Sequence, residues 1–337
     1  MTSLERAGEW FLHSGIQEPN GGIARFYRVT EGRNAALSTE ITGYGISALL
    51  ELHARLQDGR YLKAARRAGD YLLREAWHEP LQTFPFETGA GVPSLTYFFD
   101  LGIIARALLR LTRVTGEGHY ALYARRAGEA MARDFRCEAG GGSHPILTLP
   151  GKAPLAHEAW WSRRPGCFHL KAALAWHELG MMNEYERQLE FSLSCWREVI
   201  EIETERDRVM DRLHALSYFL EGLMPVVDRP ECRSAMQEGV RWGTQLLGEI
   251  APRFERSDVH AQLLRVRLFL GPALPDEVAA VQSFQDASPD PRLHGGYRFG
   301  RKAGVPMPFG NPVSTAFCLQ AAAWYEENRE PDWRDLV

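Results

Sequence analysis

The sequence predicts an all-α protein, an (α/α)6 toroid of six helical hairpins spanning residues 1–337 as one domain. Three observations predict it: a repeated hairpin, an uneven spread of connectors, and a split between charged and apolar helices. The repeat has one fixed offset. Residues 58–69 read Asp-Gly-Arg-Tyr-Leu-Lys-Ala-Ala-Arg-Arg-Ala-Gly, and residues 117–128 read Glu-Gly-His-Tyr-Ala-Leu-Tyr-Ala-Arg-Arg-Ala-Gly, an offset of 59. Gly43, Ala48, Leu49, Leu50 and Leu52 recur at that offset as Gly102, Ala107, Leu108, Leu109 and Leu111. Stacked or circularised helical hairpins form a short list of architectures.

Apolar spacing at i, i+3 and i+4 dominates, and alternating β-branched runs are almost absent. This spacing predicts twelve helices, over 2–14, 39–56, 59–76, 97–115, 118–135, 166–180, 182–201, 207–227, 230–250, 256–270, 274–287 and 312–328. The even helices end at quick turns: Gln57-Asp58-Gly59, Gly116-Glu117-Gly118, Leu179-Gly180, Asp228-Arg229-Pro230 and Gly271-Pro272. Gly and Pro there are ordinary helix stops. After the first, third, fifth and eleventh helices the chain instead runs through loops of about 20–30 residues. Every long loop thus leads from an odd helix into an even one. The odd helices carry the charge: Arg60, Lys63, Arg66, Arg67 and Arg74 on the third, Glu186, Arg187 and Glu190 on the seventh. The even ones are rich in Ala, Leu, Gly and aromatics, as in Ser314–Trp324. A mostly apolar helix is buried and a charged-faced one is outer. Even helices therefore form an inner layer, and the long loops share one face at their N-termini. An open solenoid would need polar caps and more uniform repeats.

Composition narrows the function classes. A hydrophobic fraction of 45% and a charged fraction of 24% are ordinary for a globular chain. A net charge of −4 argues against nucleic acid as the main partner. No apolar run approaches about 18 residues, so no membrane span is expected. The N-terminal stretch is charged and lacks the apolar core of a signal peptide. The five cysteines, at 137, 167, 195, 232 and 318, include no Cys-x-x-Cys pair. They predict neither disulfides nor a zinc site, and they suit a reducing cytoplasm.

Several segments carry a resemblance. Gly21-Gly22-Ile23-Ala24-Arg25-Phe26 followed by Ser38-Thr39-Glu40-Ile41-Thr42-Gly43-Tyr44 resembles the opening of bacterial toroids of the terpenoid-cyclase-like superfamily. Tyr97–Gly102, Leu213–Leu223 and Gly295–Phe299 are similar to later segments of such proteins. The resemblance implies a toroid associated with polysaccharide synthesis or breakdown.

The loop face collects the chemistry-bearing residues. Aromatic faces stack on CH-rich pyranose rings, and Arg grips a carboxylate bidentately. Arg25, Tyr44, His157, Trp160, Trp161, Arg164, Tyr297 and Arg298 are the candidate substrate-binding residues on this logic. The same aromatics also suit a plainer role, fastening long loops to the rim. Carboxylates recur near inner-helix starts: Glu40, Asp100, Asp211 and Asp258. Capping accounts for such positions without any function. Near a helix N-terminus a carboxylate is expected to stay ionised, as a base or nucleophile. Glu87, behind Phe84-Pro85-Phe86, is the candidate for a desolvated acid. Asp211, His214 and Tyr218 share one helix face, where a His–Tyr pair oriented by Asp could move a proton at a sugar carbon. His169 and His260 also fall near inner-helix starts. The candidate catalytic set is therefore Glu40, Glu87, Asp100, Asp211, His214 and Tyr218.

The sequence has no acid motif of class II terpene cyclases, no Cys/His zinc set, no His-Glu-x-x-His, no phosphate loop and no dinucleotide fingerprint, so no cofactor or metal is expected. Gly140-Gly141-Gly142 lacks a following Lys-Ser/Thr and reads as a loop. The leading expectation is a carbohydrate-active enzyme working on an acidic, uronate-containing glycan or oligosaccharide at the toroid mouth. Hydrolysis by paired carboxylates comes first, proton abstraction by His214 and Tyr218 (a lyase or epimerase) close behind. A non-catalytic glycan-binding or assembly protein and an isoprenoid-handling cyclase are the alternatives.

Overall fold

A computed structural model describes residues 1–88, 94–137, 141–158, 160–251, 253–327 and 331–337. Ala139 and Gly140 of the glycine run and Asn328, the last residue of the twelfth predicted helix, lie outside these. The helices in chain order are α1 Ser3–His13, α2 Thr39–Leu56, α3 Gly59–Tyr71, α4 Phe98–Thr115, α5 Gly118–Asp134, α6 His169–Glu178 and α7 Met182–Cys195. They continue as α8 Glu198–Glu201, α9 Arg206–Gly222, α10 Pro230–Ile250, α11 Ser257–Leu270, α12 Pro275–Gln282 and α13 Pro312–Glu327.

The ring closes. Among inner helices α2 packs on α4, α4 on α6, α6 on α9, α9 on α11, α11 on α13, and α13 back on α2. The apolar helices are inside, as expected: α13 is buried continuously from Pro312 to Trp324. The repeat is the packing signature of this ring. A Cβ on Gly43 would lie 3.3 Å from the Ile104 backbone of the next inner helix, and one on Gly102 only 2.4 Å from the Ala172 carbonyl. Tyr61 lies against Gly8 of α1, and its repeat partner Tyr120 against Gly69 of α3. Each repeat thus supplies one small residue where helices meet and one aromatic ridge for the preceding outer helix.

Three predicted helices differ. The seventh breaks at Trp196-Arg197 into α7 and α8, because Trp196 turns inward to stack on Phe219, ring centroids 5.6 Å apart. The third ends in a π-helical turn over Leu72–Ala76. The eleventh stops at Gln282, after which Gln285 bridges Tyr297 and begins the last loop.

The long loops are stitched to one another around the mouth by short antiparallel strands. Leu37–Ser38 pairs with Glu87–Thr88, Leu95–Tyr97 with Ile146–Thr148, Phe254–Arg256 with Gly300–Lys302, and Tyr27–Arg28 with Phe309–Gly310. Helices α2, α4 and α11 each begin on the residue after such a strand. That junction sets Glu40, Asp100 and Asp258 one or two residues into an inner helix, facing the mouth. At the other end, residues 331–337 fold under the ring. Arg106 donates to the Trp333 carbonyl at 2.9 Å, Arg110 to that of Asp335 at 2.8 Å, and Lys171 to that of Val337 at 2.7 Å.

Candidate active site

The mouth holds a cavity of about 390 Å³. It is lined by Arg25, Glu40, Phe86, Tyr97, Phe99, Asp100, Trp161, Arg163, Phe168, His169, His214, Tyr218 and Arg256, among others. Glu40 and Asp100 stand side by side on adjacent inner helices. His214 and Tyr218 come from α9, three places round the ring from α2 and so across the lumen from Glu40. Tyr44 of α2 donates its hydroxyl to that of Tyr218 at 3.2 Å, and this bond spans the ring as the cavity floor.

The carboxylates divide. Burial pushes Glu40 up to about 7, with Arg25 and Lys171 opposing. Burial lifts Asp100 well above the carboxylate range, and the charge of Glu40 lifts it further. Both acids are therefore harder to ionise than free carboxylic acids, and the charge of one opposes that of the other. Ionisation at the helix N-terminus was the expectation for these groups; the desolvation of the cavity wall outweighs the helix dipole, worth about 0.3–1 kcal/mol. Asp258 is the contrary case. It is as buried, yet its pKa is lowered, because Arg256 grips it with Nε at 3.0 Å and Nη2 at 2.6 Å. None of these acids caps its helix; Ser38 does so for α2, accepting from the Ile41 amide at 3.4 Å.

His214 is oriented by neighbours other than the expected one. Asp211 does not reach it; Asp211 accepts from Arg256 at 2.7 Å and lines a separate 110 Å³ pocket with Trp160, Trp161, Glu203, Arg208 and Arg212. The Nδ1 of His214 instead lies 2.6 Å from Gln262 Oε1 and 3.8 Å from Asp258. Its Nε2 has no hydrogen-bond partner among the described residues. Burial holds the imidazole down to about 4, Asp258 opposing, so the ring is neutral at pH 7. Its centroid is 4.3 Å from the Tyr218 ring.

Two groups in the cavity lack partners. Asp100 Oδ2 and both ring nitrogens of His169 are buried without a hydrogen bond among the described residues. His169 is wedged between Phe98 and Phe168, centroids 4.8 and 4.2 Å away, and burial lowers it to about 3. Such unsatisfied groups are costly and mark where a polar ligand would bind.

The remaining candidates scatter. Arg25 lines the cavity over the Phe86 ring at 4.9 Å, with Glu87 at 3.4 Å. Glu87 is not desolvated: its side chain is 37% exposed at the rim, while the buried Phe84 packs on Trp77, ring centroids 4.9 Å apart. Trp161 walls the main cavity. His157 and Arg164 lie beyond it in a 560 Å³ cleft with Glu158, Cys167, Phe191 and Cys195, while Trp160 is 55% exposed. Tyr297 and Arg298 do not line the cavity. Tyr297 meets the Ser3 hydroxyl at 2.9 Å and Arg298 pairs with Asp286, so both fasten the last loop. Sequence reasoning did not select Arg256 or Gln262, and left His169 unassigned. The signal for Gln262 was its place one turn after Asp258 on an inner helix, where a polar residue must be partnered.

No protein-family model matches the chain, and no curated protein matches it in sequence. Solved structures do match. Cellobiose 2-epimerase from Spirochaeta thermophila superposes with a TM-score of 0.72 at 14% identity over 96% of each chain. A D-mannose isomerase gives 0.69 at 8% identity, over 97% of this chain and 96% of that one. Cellobiose 2-epimerase from Bacillus thermoamylovorans gives 0.68 at 11%, over 95% and 98%. At these identities the likeness establishes the (α/α)6 toroid.

Proposed function

We propose that this protein is a carbohydrate-active enzyme that moves a proton at a sugar carbon, as an epimerase or lyase, on an acidic oligosaccharide. The observation that carries the reading is His214, neutral and with Nε2 unpartnered among the described residues, across one cavity from two acids that burial keeps hard to ionise. His214 takes the proton from the carbon next to a carbonyl or carboxylate. The Glu40–Asp100 pair returns a proton to the opposite face, which inverts that centre, or gives it to a departing glycosyl oxygen, which completes an elimination. Either course balances without a cofactor. Arg25, which rests on the Phe86 ring and reaches Glu87 at 3.4 Å, is suited to a uronate carboxylate. Trp161 and Phe86 offer ring faces for the sugar. Proteins of the same fold bearing the names cellobiose 2-epimerase and mannose isomerase support sugar chemistry at this mouth.

Hydrolysis by the paired carboxylates fits less well. It needs two carboxyls flanking the bond, and Glu40 and Asp100 sit on adjacent helices, on one side of the cavity. A purely binding role leaves the buried acid pair unused, and the charged lining disfavours an isoprenoid. A cytoplasmic setting fits the buried thiols of Cys167 and Cys318.

The test is a screen of uronate-containing and neutral oligosaccharides in D2O, following deuterium at carbon by NMR. Deuterium at the inverted carbon for an epimerase, or the alkene signal of an unsaturated product for a lyase, each abolished by His214→Gln and by Asp100→Asn, is the expected result. Turnover that survives His214→Gln would leave a carboxylate-only hydrolase, and binding of neutral sugars alone would remove the acidic substrate.

A further inference from the structure

Beneath the cavity lies a buried polar layer whose hydrogen-bond directions are forced. Glu221 of α9 has no exposed surface. Its carboxylate accepts from Lys171 at 2.7 Å and from the Arg265 guanidinium. These two cations outweigh the effect of burial and keep Glu221 ionised, its pKa lowered. An ionised carboxylate has only acceptor sites. Gln262 lies 3.2 Å from Glu221 Oε2, so the end of its amide facing Glu221 must be the donating NH2. The other end, Oε1, then faces His214 Nδ1 at 2.6 Å and can only accept. The second neighbour of Nδ1, Asp258, is also an acceptor, because the fork of Arg256 holds it ionised.

We propose that Gln262, aligned by Glu221, is a positioning residue that fixes His214 as its Nδ1–H tautomer and leaves the Nε2 lone pair open to the cavity. Which ring nitrogen carries the proton is set by the partner of the other. Reversing the Gln262 amide would set its oxygen against a carboxylate oxygen and its NH2 against an Nδ1–H. Lys171 and Arg265, neither of which contacts His214, thus act on it through two intervening side chains, Glu221 and Gln262. The inference rests on the proposed function only in naming His214 the proton acceptor; the tautomer itself does not depend on it.

The experiment is long-range 1H–15N correlation on the full chain labelled at the imidazole nitrogens, at pH 7 and without any sugar. The signal of His214 among the eleven histidines is assigned by its loss in His214→Gln. The expected wild-type pattern is a single Nδ1–H tautomer. Gln262→Leu removes the acceptor and should shift the ring to a mixture with the Nε2–H form. Gln262→Glu keeps an acceptor and should keep the Nδ1–H tautomer, with the imidazole titrating at higher pH. The charged and titratable groups around it are then Asp258, Arg256, Tyr218, Glu221 and the new carboxylate. An Nε2–H ring in the wild type, a pure Nδ1–H ring in a folded Gln262→Leu, or loss of that tautomer in Gln262→Glu would each overturn the proposal. If Gln262→Leu does not fold, the wild-type and Gln262→Glu spectra decide. A protein with the Nδ1–H ring but no activity on any saccharide overturns the functional reading alone.

Discussion

Glu221→Gln is the sharpest probe of how the ring tolerates charge at its centre. The side chain is fully buried and is met by Lys171 at 2.7 Å, by Arg265, and by Gln262 at 3.2 Å. Glutamine keeps the shape, so no cavity opens and the cost is electrostatic. Breaking one buried pair costs about 3–5 kcal/mol. Two cations lose a partner here, but the losses do not double. Burial already draws Lys171 down to about 7, so without Glu221 it sheds its proton. Arg265 cannot, and keeps only Gln320 at 3.1 Å and the Val337 carbonyl at 3.4 Å. The expected loss is therefore about 3–5 kcal/mol at pH 7. At about 2 °C per kcal/mol for a chain of this size, Tm falls by about 6–10 °C. The pH dependence carries the signature. A lysine whose folded pKa lies below its unfolded value of about 10.4 binds fewer protons folded than unfolded between the two values, so wild-type stability rises with pH from about 7 to about 10. In that window the wild type has itself given up the Lys171 charge, so the gap to the variant narrows. Calorimetry at pH 6 and pH 9 measures both effects. A loss below about 1 kcal/mol, or a gap that widens at pH 9, would refute the argument.

Other outcomes follow from the same geometry. Glu40→Gln should stabilise the fold at pH 8 while removing activity. An acid with a raised pKa contributes stability below its unfolded value of about 4.3 and loses it as pH rises through about 7; thermal melts at pH 5 and 8 compare the two ends. Turnover should fall on the alkaline side as the Glu40–Asp100 pair loses its protons, and a pH–rate profile flat to pH 9 would count against that pair as the proton donor. Gly102→Ala should cost about 1–3 kcal/mol, since its methyl meets the Ala172 carbonyl at 2.4 Å; denaturant unfolding reads it. Trp161→Ala should weaken saccharide binding by about two- to tenfold, as a lost stacking contact of about 0.5–1.5 kcal/mol implies, while circular dichroism stays unchanged.

Helix positions and the inner–outer division were legible because both follow from apolar periodicity and from where Gly and Pro stop a helix. Gly43 and Gly102 even mark the contacts between successive inner helices. The acids Glu40 and Asp100 were legible as positions but not as charge states. A helix start says that a carboxylate is near a dipole; only the folded wall says that it is dry. Arg256 explains the opposite fate of Asp258, and its reach across to Asp211 could not be read from a spacing of 45 residues. The His214–Gln262 contact is likewise tertiary, between α9 and α11. Lys171 in His169–Trp176 and Glu221 in Leu213–Leu223 interrupt apolar inner-helix runs, a sign of the polar centre that sequence reasoning did not use. Tyr297 and Arg298 misled because a loop that must be fastened uses the same aromatic and guanidinium groups as a loop that binds.

The segment 331–337 gives the molecule a direction. With its backbone carbonyls held by Arg106, Arg110 and Lys171, and the Tyr44–Tyr218 bond above it, the ring is a cup and not a tube. A polymer cannot be threaded through a cup. On the proposed function a saccharide dips one end into it, so the unit that reacts is a chain terminus or a short oligomer, and each product backs out past the rim before the next substrate enters. The stitched loops at that rim then govern turnover as much as the groups at the bottom.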